Sequence, residues 1–206
     1  MKKEIKNIKR KSIDVVFLLD RSGSMNGSEE DTIGGYNQYL KEQRKNSSKI
    51  TTVLFDDQYE VLHFRKEVTE IKNLSNNEYY VRGCTALYDA IGKTIRRLEN
   101  ESLDNKVLFV ITTDGLENAS KEYDKEKIKE LIKSHSDWEF IYLGANIDSY
   151  QEGSALGINK SHIANYDKSD KGISNLFKSV SYLSECVLAN NCIDEAWKTG
   201  LESREN

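Results

Sequence analysis

The sequence predicts an α/β protein with a doubly wound, mainly parallel central sheet, one antiparallel edge strand, and helices on both faces. Three observations lead there. The stretches Ile13–Leu19, Lys106–Thr113 and Trp138–Ala145 hold apolar runs, Val15–Leu19, Val107–Ile111 and Phe140–Leu143, that are continuous rather than alternating, as strands covered on both faces are. Stretches with helical periodicity lie between them, and strands alternating with helices build parallel sheets. One pair differs: Ile50–Phe55, the turn Asp56-Asp57-Gln58, and the alternating run Tyr59–Val68. That pair reads as a hairpin at the sheet edge.

In order, the first strand ends on Asp20 and empties into Arg21-Ser22-Gly23-Ser24-Met25. Ser28 is placed to cap a helix whose first turn holds Glu29, Glu30 and Asp31, where acids suit the helix dipole. Ile33, Tyr36 and Leu40 give that helix its inner face, to about Arg44, with Asn37 near it. After the hairpin, the polar segment 69–83 reads as a long loop. It leads to Arg82–Asn100, where Leu87, Ala90, Ile91, Thr94, Ile95 and Leu98 form one stripe. Thr85 then stands at a helix start, either as a cap or as an ion ligand. Asp89, one turn on, either supports that site or is solvated.

Lys106–Gly115 repeats the opening design and ends in Thr113-Asp114-Gly115. A charged helix follows to about Ser134 through Ile128, Leu131 and Ile132, then the strand Trp138–Ala145. Asp148 with Gln151 fits a capping box, and Gly157 a left-handed helix end. His162–Tyr166 reads as a short last strand. The helix Lys171–Leu188 buries Ile173, Leu176, Phe177, Val180, Leu183 and Val187. A tail with Ile193, Ala196, Trp197 and Leu201 at helical spacing either packs on its own domain or docks a partner. The expected organisation is a basic arm (1–11), one domain (12–189) and a tail (190–206).

Composition limits the function classes. The chain has 206 residues, 37% hydrophobic and 31% charged, with net charge −4 and no proline. It is long enough for a full core, and its charge predicts no general affinity for nucleic acid. The apolar run behind the basic start, Val15–Leu19, is shorter than a signal-peptide core of ~7–15 residues and far short of a membrane span. Cys84, Cys186 and Cys192 have no metal-type spacing. An odd count favours a reducing compartment, so the expected location is cytoplasmic, without a membrane partner.

Three separated pieces converge on the carboxyl ends of the parallel strands, where such sheets hold ligands. They are Asp20-Arg21-Ser22-Gly23-Ser24, Thr85, and Thr113-Asp114-Gly115. Oxygen-only side chains suit a hard cation such as magnesium, manganese or calcium. On these residues the chain resembles the von Willebrand factor A-type domain, a Rossmann-like fold, in its stand-alone bacterial cytoplasmic form. The resemblance covers about residues 12–189 and implies an intact metal-ion-dependent adhesion site. Ser22 and Ser24 would bind the ion through their hydroxyls, and Thr85 would join them in the ligand-bound form. Asp20 and Asp114 would act mainly through waters and hydrogen bonds to the serines. Cys84 stands where glycine is common in relatives. In relatives, ligand binding can also be coupled to movement of the last helix, here Lys171–Leu188.

A mostly neutral inner shell leaves a divalent ion electrophilic, so an outside carboxylate completes it well. The expected function is a metal-dependent protein–protein interaction module that grips an Asp or Glu of a partner. Arg21, Met25, Asn26, Arg82, Tyr88, Glu117 and Asn118 form the candidate rim. Two alternatives stand beside it. A metal-dependent hydrolase or phosphatase would want a second carboxylate two residues after Asp20, where Ser22 stands, and no phosphate-binding glycine loop is present. A metal-independent scaffold would bind through the C-terminal helix.

Overall fold

The computed structural model describes residues 12–201. The basic arm, residues 1–11, lies outside the described residues, as do 202–206. The strands are β1 (Ile13–Asp20), β2 (Ser48–Phe55), β3 (Tyr59–Glu67), β4 (Lys106–Thr113), β5 (Glu139–Gly144) and β6 (Ile163–Asn165). The helices are α1 (Glu29–Gln43), α2 (Leu87–Glu99), α3 (Lys125–Ser134), α4 (Ser149–Ala155) and α5 (Asp170–Ala189). The sheet order is β3-β2-β1-β4-β5-β6. Every pairing is parallel except β2 with β3, the predicted edge hairpin. The chain builds outward from β1 through β2 to β3, then crosses to the other side of β1 at β4. The strand order therefore reverses between β1 and β4.

β1 is buried along its whole length. Its residues alternate between two cores, as a period of two requires. Val15, Phe17 and Leu19 pack with Tyr36 and Tyr39 of α1 and Phe177 and Val180 of α5. Val16 and Leu18 face Ile91 and Ile95 of α2 and Ile128 of α3. Phe17 sits edge-on to both tyrosines at centroid distances of 5.5 and 4.8 Å. The predicted stripes of α2 and α5 are the buried ones.

Some local expectations change. Ser28 precedes α1 without a side-chain cap; instead Glu29 in the first turn accepts the Gly27 amide at 2.7 Å. Asp148 does cap α4, accepting the Gln151 amide at 2.9 Å, and Gly157 is left-handed. The tail forms a single 3-10 turn, Glu195–Lys198. Trp197 is 2% exposed and joins the α1/α5 core, with its indole N–H on the Ser161 carbonyl. The tail's aromatic is thus spent on its own domain. Among the described residues no helix is long and apolar enough to cross a membrane.

Asp89 is neither solvated nor part of the ion site. Its carboxylate accepts the backbone amides of Lys121, Glu122 and Tyr123, tying the loop after β4 to α2. Burial alone raises its pKa, but the three amides and Lys93 outweigh that and leave it below the usual carboxylate value. A lowered folded pKa means the stabilisation is present above the unfolded value and is lost as pH falls through the folded one. Asp89→Ala is expected to cost about 3 kcal/mol at pH 7, since hydrogen bonds to a charged acceptor are the stronger kind. In urea titrations the deficit should shrink below pH 4. A loss under 0.5 kcal/mol at pH 7 would show that the loop is held by something else.

Candidate metal site

Each candidate ligand stands where an element ends. Asp20 is the last residue of β1, and Leu19 pairs with Thr112 of β4, so the ends of β1 and β4 lie side by side. Thr113 donates its hydroxyl to Asp20 Oδ2 at 2.6 Å. Asp20 Oδ1 accepts the Ser22 amide at 2.7 Å, and the Tyr79 hydroxyl holds the Asp20 carbonyl at 2.5 Å. Both Asp20 oxygens therefore shape the loop. They bend it so that the Ser22 and Ser24 hydroxyls meet at 3.0 Å.

The loop before α2 docks against this turn. The Gly23 amide donates to the Gly83 carbonyl and the Arg82 amide to the Arg21 carbonyl. Gly83 has φ +68°, and a Cβ there would meet the Asp57 carboxylate at 2.3 Å, so the close approach requires glycine. Thr85 follows. Its amide donates to Asn118 Oδ1 at 2.9 Å, and its carbonyl accepts the Asn118 and Ala119 amides. The helix cap position is Ala86, which leaves the Thr85 hydroxyl outside the capping scheme. A methyl built on Gly115 would lie 2.9 Å from that hydroxyl and 3.1 Å from the Ser24 hydroxyl. Both hydroxyls thus face the cradle that Gly115 keeps open.

Asp114 closes this cluster. It is buried, and its Oδ1 has no hydrogen-bond partner among the described residues. Its Oδ2 lies 2.7 Å from the ammonium of Lys168. Burial pushes the Asp20 pKa up to about 6, against the pull of Thr113 and Ser22, and Asp114 adds a further push upward. Among the described residues no three His, Cys, Asp or Glu side chains are grouped to hold a metal. The candidate is built on hydroxyls, with two acids at its edges. An orphaned carboxylate oxygen, three hydroxyls and an open glycine cradle form a donor set that fits a hard divalent cation.

The family model described as von Willebrand factor type A domain matches residues 15–117. The chain belongs to the von Willebrand factor type A domain family. No curated protein matches it. Solved structures do, among them mussel byssus proximal thread matrix protein 1 with a zinc-occupied MIDAS motif (16% identity, TM-score 0.62, 85% of this chain and 46% of that one). The pilus adhesin SpaC from Lactobacillus rhamnosus GG matches at 14% identity and TM-score 0.69, over 90% of this chain and 31% of that one. A von Willebrand factor type A protein from Catenulispora acidiphila matches at 11% identity and TM-score 0.61, over 84% and 42%. At these identities the likeness is one of fold. This chain spans less than half the length of each of these three proteins.

The rim of this von Willebrand factor type A domain differs from the expectation. Arg21 is not on the surface: it is 0% exposed and pairs with Asp56 at 3.1 Å. Met25 is buried as well. Arg82 is half-buried, held by Asp56 at 2.6 Å and by Gln58. Glu117 is spent on the Tyr88, Ala119 and Ser120 amides, which closes the start of α2 and leaves Tyr88 half-buried. Asn26 and Asn118 are exposed, although the Asn118 carbonyl oxygen is committed to Thr85. Leu116 and Lys168 were not anticipated. Leu116, two residues after Asp114, is 55% exposed. An apolar residue in a strand-end turn was the available signal for it, and for Lys168 the signal was its place just after the carboxyl end of a parallel strand.

Proposed function

We propose that this domain binds a divalent cation at Ser22, Ser24, Thr85, Asp114 and Asp20, and through it a carboxylate from a partner protein. The observation that carries this reading is the orphaned Asp114 oxygen beside three hydroxyls at the strand-order reversal. When bound, the ion would supply an electrophilic centre for an anionic oxygen. The chain's own residues do the rest. Asp20 and Thr113 hold the serine loop, Asn118 holds Thr85, and Gly115 leaves room. Magnesium or manganese suits the oxygen set, and the zinc seen at the mussel protein's site supports divalent binding. Interaction rather than hydrolysis is supported by the absence of histidine from the rim. His63 lies against Thr52 in the hairpin, and His135 and His162 precede β5 and β6 at the opposite sheet end.

Thermal unfolding tests the ion directly, because a ligand that binds only the native state raises stability. At 100 times its Kd, manganese should stabilise the wild type by about 2.7 kcal/mol, or roughly 5–10 °C at this chain length. Ser22→Ala should abolish most of the shift. Capture of a partner from host lysate should need magnesium and be lost on Thr85→Ala. Equal manganese shifts in wild type and Ser22→Ala would place the ion elsewhere.

A further inference from the structure

Lys168 reaches the centre of the candidate site from outside its motif. It stands after β6, one residue before Ser169, which caps α5. Its ammonium lies 2.7 Å from Asp114 Oδ2 and also donates to the backbone carbonyl of Ser24. Its side chain is 19% exposed and that of Asp114 is 1% exposed. A lysine drawn this far from water must be held by its partners. Here those partners are an acid at the end of β4 and a carbonyl of the serine loop. Both belong to the proposed ion's immediate surroundings. Lys168 is therefore a tethered monovalent cation seated among the oxygens a divalent ion would use.

We propose that Lys168 is an intramolecular competitor of the divalent ion: it pairs with Asp114, and ion loading requires that its ammonium leave. The inference rests on the site reading above, and adds that occupancy of the site is conditional. Two cations do not share one buried carboxylate at contact distance without strong repulsion. The apparent ion affinity is thus the intrinsic affinity reduced by the fraction of molecules whose Lys168 is withdrawn. A domain of this kind grips its acidic partner only above a threshold of free ion. Partner carboxylate and ion then act together to hold the ammonium out.

The test uses manganese as the probe, with binding followed by the loss of its free-ion paramagnetic resonance signal. Lys168→Met is expected to tighten manganese binding at least tenfold, and Lys168→Arg, which keeps the charge, to stay near wild type. Lys171→Met, which removes an exposed charge from the first turn of α5, should change the affinity less than twofold. In the wild type, acetylation of Lys168 by a water-soluble ester, read by mass spectrometry, should speed up severalfold when manganese is added. Equal affinity in wild type and Lys168→Met would overturn the competition while leaving the site reading intact. Equal tightening by Lys171→Met would reduce the effect to general charge and overturn it too. Acetylation unchanged by manganese would do the same. Absence of manganese binding in both wild type and Lys168→Met would overturn the inference together with the site reading.

Discussion

Asp20→Asn should make the ion-free domain more stable while removing its response to manganese. Burial raises the Asp20 pKa from 3.8 to about 6, so the folded state prefers the protonated form. The sign follows from linkage. A raised carboxyl pKa favours folding below the unfolded value, and that advantage disappears as pH rises through the folded value. Above pH 6 the buried charge therefore costs on the order of 3 kcal/mol. Asparagine keeps an acceptor for the Ser22 amide, and its own amide faces Thr113 Oγ1, which accepts as readily as it donates. With a chelator at pH 8 the variant should melt roughly 5–10 °C above wild type. The gap should close between pH 6 and 4, as wild-type Asp20 takes up its proton. Manganese should shift wild type and leave the variant unmoved. A variant that melts at or below wild type at pH 8 would show that the charge at Asp20 is already well compensated.

This sets stability against function at one atom group. Two acids are held at adjacent strand ends, and the second raises the pKa of the first. Such an arrangement is poor packing on its own terms and becomes reasonable when a cation is bound, because the repulsion is then cancelled. Sites that keep strain of this kind are drawn from places where function needs it.

The fold was legible because its signals are local. β1, β4 and β5 each carry a continuous apolar run, and α2 and α5 carry unbroken stripes. β2 began earlier than its apolar run suggested, since Ser48 and Lys49 pair with Ile13 and Asp14 and backbone pairing is indifferent to side-chain polarity. Of the candidate site, Asp20, Ser22 and Ser24 share one turn, and Thr85 and Asp114 mark element ends, but only the resemblance to the von Willebrand factor A-type domain joined them into one ligand set. Arg21, Glu117 and Lys168 were not legible in the same way. A charged residue in a turn between Asp20 and Ser22 reads as exposed, yet Arg21 points inward because its partner, Asp56, waits at the end of β2, 35 residues on. Glu117 looked free because amide donors leave no trace in a sequence. Lys168 reaches Asp114 at the end of β4 from beyond the edge strand β6, with β5 between them.

The buried Arg21 is also where the largest loss of stability is expected. Asp56 accepts from Arg21 at 3.1 Å, from Arg82 at 2.6 Å and from the Gln58 amide at 2.6 Å, and its own carbonyl takes the Ala86 amide. Removing it leaves a fully buried guanidinium facing a void. Glu60 approaches Arg21 at 2.9 Å, but it is half exposed and the guanidinium nitrogen on that side makes no aligned hydrogen bond. It cannot replace the lost acid. Breaking one side of a buried pair costs about 3–5 kcal/mol, whereas replacing both sides by apolar groups is often nearly neutral. Asp56→Ala should therefore fall in that range by urea denaturation at pH 7, and the added Arg21→Met should recover at least half of the loss. The single variant should also weaken manganese binding, because Arg21 and Arg82 brace the two backbone segments that carry Ser22 and Thr85. The double variant restores the packing but not the tie to Arg82, so its ion affinity should stay below wild type. If Asp56→Ala costs less than 1 kcal/mol, or the double variant is as unstable as the single, Arg21 is not held by this pair and the brace between the two loops lies elsewhere.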